Sequence, residues 1–429
     1  MKVGIYTLGC KVNTYESEFV TKSLMDAGYE ISSFDDVCDI YIINTCTVTN
    51  TSDIKSRKII RQAKRRNPNA IVIAMGCFVQ KSTELIDEID IAIGNKDKSK
   101  ITELIKEYQD NSKKINKVVS KESLNEFEDM YIDKYLSRTR AFVKIQDGCE
   151  NYCSYCIIPF VRGKCRSKDF DKTISEIKNL VANGFKEIVL TGIHTGNYGR
   201  DINTSFASLL AEMVKIDGLK RIRISSIEAT ELNKEVLNII KENDIIVDHL
   251  HIPIQAASNE VLEIMNRKYN LDEFKSKINE IRTIRPDISI TTDIIVGFPG
   301  ETDEDFKDTI ELAEELKFDL AYTFIYSPRE GTPASIMKDE TSMEVKKIRL
   351  ARLNEIINKN ANLNNQKYLD KIVPVLIESK SEKEDKYMGY TDTMKLVNVD
   401  CDKKYLGKIV NVKITDIKTW SLDGVVIDD

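Results

Sequence analysis

Short apolar runs alternate with amphipathic helical stretches along most of this chain, and that alternation restricts it to an α/β architecture. In the first part the apolar runs fall at residues 3–8, 40–44, 71–75 and 89–93, with helical stretches at 16–27, 51–66 and 82–86 between them. Parallel strands need such crossovers, so the pattern predicts a doubly wound parallel sheet in a first domain at residues 1–115. Residues 96–138 are rich in charge, with few apolar anchors after Ile105, and read as one helix followed by a linker. The alternation then resumes. Strand patterns at 141–145, 187–191, 221–225, 249–254, 289–296 and 320–326 are separated by helical patterns, and a charged helix at 344–366 follows. Six units instead of eight predict a partial (β/α)6 barrel in a domain at residues 135–366. The last segment, 367–429, carries short β-patterned runs at 371–378, 394–399, 407–415 and 424–427, which suit a small antiparallel β-barrel.

No apolar run is long enough to cross a membrane, and the N-terminus turns polar too soon for a signal peptide. A cytoplasmic protein with no membrane partner is expected. The nine cysteines are an odd number, and six fall into two spaced triplets, which favours metal binding over disulfides. Net charge is −6, so a nucleic-acid partner would have to be drawn by local patches. The strongest is the run Lys55, Arg57, Lys58, Arg61, Lys64, Arg65 and Arg66 on one predicted helix. A solvated surface helix would look the same. Smaller groups are Arg138 with Arg140, Arg162 with Lys164 and Arg166, and Lys403, Lys404, Lys408, Lys413 and Lys418 in the last segment.

The first triplet is compact: Cys149-Glu-Asn-Tyr-Cys153-Ser-Tyr-Cys156, just past the first barrel strand. Barrels place their catalytic groups at that end. A zinc knuckle would call for a fourth Cys or His nearby, and Cys165 does not continue the spacing. Three thiolates hold three corners of a [4Fe–4S] cube and leave one iron open. The second triplet, Cys10, Cys46 and Cys77, is dispersed, but each member ends a strand pattern. Strand C-termini of a parallel sheet share one edge, where ligands bind. The alternative is three buried structural thiols. Cys38, Cys165 and Cys401 belong to neither pattern and read as ordinary thiols.

The barrel strands leave an unusually polar set on one face: Lys144, Gln146, Glu187, Thr191, Arg223, Ser225, His249, His251, Gln255, Thr291 and Asp293. Buried charges need partners, which a polar ligand in the lumen or mutual pairing would provide. Trp420 reads as core packing of the β module, and His249 and His251 as hydrogen-bonded barrel residues.

With Tyr155 as the aromatic, the compact triplet resembles the C-x3-C-x-aromatic-C signature of radical S-adenosylmethionine (SAM) enzymes. That resemblance implies a cluster whose open iron binds SAM. Leu190-Thr191-Gly192 resembles the segment that holds the SAM amino group. Ile295-Val-Gly297-Phe-Pro-Gly300 resembles the adenine-contacting segment, with the family's acidic residue displaced to Glu301. By position, Ser225 and Gln255 join Thr191, Gly192 and Gly297 as implied SAM contacts. Gly9-Cys10-Lys-Val-Asn13 and Asn44-Thr-Cys46-Thr-Val, joined to this barrel and a β tail, are similar to the radical SAM methylthiotransferase family over essentially the whole chain. The family resemblance implies two [4Fe–4S] clusters, one on Cys10, Cys46 and Cys77 and one on Cys149, Cys153 and Cys156. It also implies a C-terminal TRAM domain and insertion of sulfur and methyl into a C–H bond. The implied partners are a tRNA anticodon loop, an electron donor and a sulfur source, with no side chain in an acid–base role. Tyr6-Thr-Leu-Gly-Cys10-Lys-Val-Asn13, Thr191-Gly-Ile-His-Thr-Gly196, Ser225-Ser-Ile-Glu228, His249-Leu-His-Ile-Pro253 and Arg329-Glu-Gly-Thr332 resemble the branch that acts on N6-threonylcarbamoyladenosine at position 37 of tRNA. Methylthiolation of isopentenyladenosine or of a ribosomal-protein aspartate, and a non-catalytic two-cluster electron carrier, are the alternatives.

Overall fold

The computed structural model describes residues 1–82, 86–135, 139–381 and 385–427. The first unit is a six-stranded parallel sheet of β1 Lys2–Thr7, β2 Glu30–Ser32, β3 Ile40–Thr45, β4 Ile71–Gly76, β5 Ile91–Ile93 and β6 Ile115–Lys117, in the order β2-β1-β3-β4-β5-β6. Helices α1 Lys11–Asp26, α2 Asn50–Arg66, α3 Cys77–Lys81 and α4 Ile101–Asn111 connect the strands. The order reverses between β1 and β3, which opens a crevice at their C-terminal ends. α2 begins where the Thr49 hydroxyl accepts from the Ser52 amide (3.1 Å), and it buries Ile59, Ile60 and Ala63.

Two expectations change here. α1 starts at Lys11, directly after Cys10, instead of residue 16. The stretch after α4 is no free linker: it supplies the edge strand β6, and Met130, Ile132 and Tyr135 are buried in the barrel's apolar core. Of the expected helix at 82–86, residues 83–85 lie outside the described residues, as does Arg138.

The second unit begins with β7 Arg140–Lys144 and a short antiparallel ribbon, β8 Gln146–Asp147 with β9 Arg166–Ser167, flanking α5 Ile158–Arg162. Then follow α6 Phe170–Ala182, β10 Glu187–Thr191, α7 Phe206–Met213, β11 Arg221–Ile224, α8 Lys234–Glu242, β12 His249–His251, α9 Asn259–Ile264, α10 Leu271–Ile284, β13 Ser289–Val296, α11 Asp303–Leu316, β14 Leu320–Ile325 and α12 Met343–Gln366. The strands form two parallel halves, β7-β10-β11 and β12-β13-β14, linked through the Ile222–Ile246 bridge. Among the described residues β7 and β14 do not pair, so the barrel stays open. Ile188, Leu190, Ile222, Ile224 and Ile290 bury against the helices, which leaves the polar set on the other face as the alternation predicted, except Gln146, which falls in the β8 ribbon, and Gln255, which lies beyond β12.

The third unit is a closed five-stranded barrel, β15 Ile372–Lys380, β16 Tyr387–Thr391, β17 Leu396–Asp400, β18 Ile409–Ile417 and β19 Leu422–Val426, in the order β15-β16-β17-β19-β18. β16 was not legible because Gly389 and the surrounding turns interrupt its pattern. This barrel sits against the N-terminal ends of the central strands. Arg221 donates to the Tyr390 and Pro374 carbonyls (3.1 and 2.8 Å), and Arg223 to those of Asp392 and Thr391 (3.0 and 3.1 Å). Arg140 pairs with Glu378 (2.6 Å) and Lys395 with Asp319 (2.8 Å). Among the described residues no helix is long and apolar enough to cross a membrane.

Candidate active site

All three units open onto one cavity of about 580 Å³. The first sheet contributes Cys10, Lys11 and Val12; the central strands contribute Thr191, Gly192, Ser225, His249, His251, Thr291 and Asp293; the β-barrel contributes Tyr390, Thr393, Met394, Lys395 and Trp420. The inward polar groups divide into two sets. Lys144, Glu187 and Arg223 are satisfied by protein: Lys144 by Glu16 (3.0 Å) and Asp147 (2.7 Å), Glu187 by Arg223 (2.6 Å). Thr191, Ser225, His249, His251, Thr291 and Asp293 line the cavity. The Thr291 hydroxyl lies between His249 Nε2 (3.0 Å) and His251 Nδ1 (2.9 Å), and His251 Nε2 faces Asp293 (3.3 Å). Burial, then Arg223, His251 and Lys11, hold His249 well below the usual imidazole range.

The dispersed cysteines follow the strands as expected: Cys10 after β1, Cys46 after β3 and Cys77 opening α3 after β4. Gly9 has φ +101°, and a Cβ there would lie 3.1 Å from Cys46 Sγ, so only glycine lets these two loops approach. Cys10 is exposed because it opens into the cavity, yet burial by the surrounding units raises its thiol; burial likewise lifts Cys46 to about 11. Donors converge on the sulfurs. Arg162 Nε lies 3.2 Å and Asn95 Nδ2 3.6 Å from Cys77 Sγ.

The compact triplet lies beyond β8, in the loop before α5. Cys153 Sγ accepts from Arg267 (3.5 Å), Cys149 Sγ from the Asn151 amide (3.5 Å), and His194 Nδ1 lies 3.9 Å from Cys149 Sγ. Burial raises Cys153 and lifts Cys156 to about 12. Arg267 is itself held by Glu228. Tyr155 packs edge-on against Phe298 (6.3 Å) and Phe298 against Tyr326 (5.0 Å), tying the cysteine loop to the 297–300 segment. Segment 157–162 joins the two thiol sets, since Ile157 and Val161 pack on Cys77.

These donor sets fit iron–sulfur clusters. Among the described residues no three His, Cys, Asp or Glu side chains converge closely enough for a single ion. A cube instead spaces its thiolates apart and takes N–H donors to its sulfurs, as Arg162, Asn95, Arg267 and Asn151 provide. Coordination would also deprotonate thiols that burial otherwise keeps neutral.

Residues 143–313 match the radical SAM superfamily, residues 2–95 a family described as uncharacterized protein family UPF0004, and residues 366–427 the TRAM domain. The threonylcarbamoyladenosine tRNA methylthiotransferase MtaB of Bacillus subtilis (strain 168) is 42% identical over 96% of this chain and 93% of its own length. The chain belongs to the radical SAM methylthiotransferase family. A tRNA-2-methylthio-N(6)-dimethylallyladenosine synthase of Clostridium tetani (strain Massachusetts / E88) is 40% identical over 98% of this chain and 95% of its own length. A radical SAM methyltransferase from Kitasatospora setae, TsrM, shares the fold at TM-score 0.59 and 15% identity, covering 78% of this chain and 74% of that one. The chain is thus a radical SAM tRNA methylthiotransferase, and the electron-carrier and ribosomal-protein readings fall. Its family implies SAM and a [4Fe–4S] cluster, and the UPF0004 match suggests a second.

Of the residues expected to touch SAM, Thr191, Gly192 and Ser225 line the methylthiotransferase's cavity. Gln255 adopts φ +72° and bridges to β13, and the Gly297 amide donates to Glu301 (2.9 Å). Neither is among the residues lining the cavity. Three expectations are corrected. Trp420 is 53% exposed and borders the cavity instead of filling the β core. Arg162 and Arg166 are buried in ion pairs with Asp147 (3.0 and 3.2 Å), so they offer nothing to phosphates. On α2, Lys64 pairs with Asp90 (2.8 Å) and Arg66 with Asp35, which leaves Lys55, Arg57, Lys58, Arg61 and Arg65 exposed. Sequence reasoning missed Arg162 and Arg267 as partners of the cysteines. The signal for Arg162 was a cation next to the apolar Ile158-Pro-Phe-Val161, where a charge belongs only with partners.

Proposed function

We propose that this enzyme methylthiolates C2 of N6-threonylcarbamoyladenosine at position 37 of tRNA, with an electron donor and a sulfur source completing the reaction. The observation that carries this is the single cavity shared by Cys10, the SAM segment at Thr191 and Gly192, and the β-barrel at Tyr390 and Trp420. Its volume lies in the range of small-molecule sites. Its polar lining of Ser225, His249, Thr291 and Asp293 suits a polar N6 substituent better than an apolar dimethylallyl group. The Bacillus subtilis relative is named for the first nucleoside and the Clostridium tetani relative for the second.

When bound, a cluster with SAM on Cys149, Cys153 and Cys156 supplies a radical able to take the C2 hydrogen, and a second on Cys10, Cys46 and Cys77 supplies the sulfur. The chain's own residues do the positioning. Arg267, fixed by Glu228, holds the Cys153 loop, and the Tyr155–Phe298–Tyr326 stack holds the loop against the segment expected to contact SAM. Arg162 sets the Cys77 edge against that same loop. The β-barrel is fastened to the N-terminal ends of the central strands by Arg221 and Arg223 and lines the far end of the cavity.

The test is anaerobic reconstitution with SAM, reductant and tRNA carrying either nucleoside, followed by nucleoside mass spectrometry. The methylthio-threonylcarbamoyl product is expected. Product from the dimethylallyl tRNA alone would overturn the assignment. Cys153→Ala should abolish 5′-deoxyadenosine formation, whereas Cys46→Ala should still cleave some SAM without methylthiolating RNA.

A further inference from the structure

We propose that Lys11 receives the carboxylate of the threonylcarbamoyl group and so sets which N6-modified adenosine the enzyme accepts. This inference rests on the substrate reading above.

Charge placement is the first argument. The other charged groups around the lumen have partners: Lys395 with Asp319 (2.8 Å), Asp293 with the His251 ring (3.3 Å), Arg223 with Glu187 (2.6 Å) and Arg140 with Glu378 (2.6 Å). Lys11 lines the same cavity and, among the described residues, has no hydrogen bond or ion pair. It occupies the first position of the 16-residue helix α1, whose first turn holds no acidic residue. The helix dipole disfavours a cation there, so local stability does not explain it. An anion would satisfy both the ammonium and the helix end.

Unsatisfied neighbours are the second argument. His249 is 7% exposed and Ser289 is 3% exposed; both line the cavity, and His249 Nδ1 and Ser289 Oγ have no partner among the described residues. His249 and Ser289 are paired neighbours on β12 and β13, and Lys11 lines the same cavity, so the three groups share one region. Buried polar atoms without partners are uncommon, and here they sit beside an unpaired cation. A group with a carboxylate and a hydroxyl satisfies all three. A dimethylallyl group satisfies none.

Position is the third. Lys11 directly follows Cys10. In adenine, C2 and C6 flank N1 on one edge of the ring. A base held with C2 toward the Cys10 edge therefore turns its N6 substituent along the same wall, toward Lys11.

The test uses reconstituted holoenzyme and three anticodon stem-loop RNAs, carrying threonylcarbamoyladenosine, its methyl ester, or dimethylallyladenosine at position 37. Binding is read by fluorescence anisotropy and turnover by mass spectrometry. A charge-assisted hydrogen bond predicts that the wild type favours the acid over the ester by about 10- to 100-fold in Kd and KM, with kcat less affected. Lys11→Met should erase that preference and Lys11→Arg should retain most of it. Equal binding of acid and ester by the wild type, or a preference that persists in Lys11→Met, overturns the proposal while the substrate reading stands. Wild-type turnover of the dimethylallyl RNA alone overturns the substrate reading, and this inference with it.

Discussion

Arg162→Met should loosen the junction between the first sheet and the barrel by about 3 kcal/mol. The guanidinium is fully buried and reaches five atoms of four side chains: Cys77 Sγ (3.2 Å), Glu16 (3.1 Å), both Asp147 oxygens (3.0 and 3.2 Å) and Asn13 Oδ1 (2.8 Å). Removing one partner from a buried ionic network costs roughly 3–5 kcal/mol, because the opposite charges stay behind. Here they are not abandoned. Glu16 keeps Lys98 and Lys144, and Asp147 keeps Lys144 (2.7 Å) and Arg166 (3.2 Å). The lower end of that range therefore applies. At about 1.4 kcal/mol per factor of ten, the opening equilibrium of this junction rises about 100-fold. Native-state hydrogen exchange reads it directly in α1 and in segment 157–162, with the distant β-barrel as internal control. The double variant with Glu16→Gln should lose less than the sum of the two single losses, since it removes both signs of charge. Exchange within about threefold of wild type in α1 and 157–162 would refute the network as the domain clamp.

Three further outcomes are expected. Trp420 is the only tryptophan and is half exposed at the cavity, so saturating anticodon stem-loop RNA should change its emission, and Trp420→Ala should weaken binding by about 1–3 kcal/mol if it stacks on a base; emission that RNA leaves unchanged counts against the cavity as the substrate site. Replacing Lys55, Lys58 and Arg65 by Glu should weaken tRNA binding and flatten its salt dependence by roughly 0.7 in the log–log slope for each phosphate no longer neutralised, measured by titration at several salt concentrations; an unaltered slope would show that α2 does not face RNA. Burial opposes ionisation of Glu16 and Asp147, but Arg162 and the nearby lysines outweigh it and hold both carboxyls well below their usual range. Their contribution is therefore complete above the ordinary carboxylate pKa of about 4 and is lost as pH falls from there through the lower folded values. α1 protection against exchange, corrected for intrinsic rates, should hold from pH 8 to 5, and an early loss in that window would contradict the sign.

Much of the site was legible in the chain because covalent order and strand geometry act together. The Cys149, Cys153 and Cys156 spacing is local, and Cys10, Cys46 and Cys77 could be gathered from the strand pattern alone because parallel strands share a C-terminal edge. Strand alternation likewise gave the inward polar set, since Cβ direction alternates with period two. What no pattern carried was which charges meet. Arg162 and Arg166 read as a basic surface beside Lys164, yet both are buried, because Asp147 on the neighbouring strand pairs with both and Glu16 reaches Arg162 from the first unit. Trp420 looked like core and is half exposed, because it lies in the turn between β18 and β19 instead of on an inward strand position.

The sequence by itself determined the α/β class, the three units, the six candidate ligands and the polar lumen, all consequences of periodicity and of spacing along the chain. Only the tertiary structure decided that Cys10 and Lys11 open into the same cavity as Thr191, Gly192 and the β-barrel, and that among the described residues Lys11, unlike its charged neighbours, lacks a counter-ion. Pairing in a low-dielectric interior depends on distances of a few ångströms between elements far apart in sequence, and a linear pattern does not encode those distances.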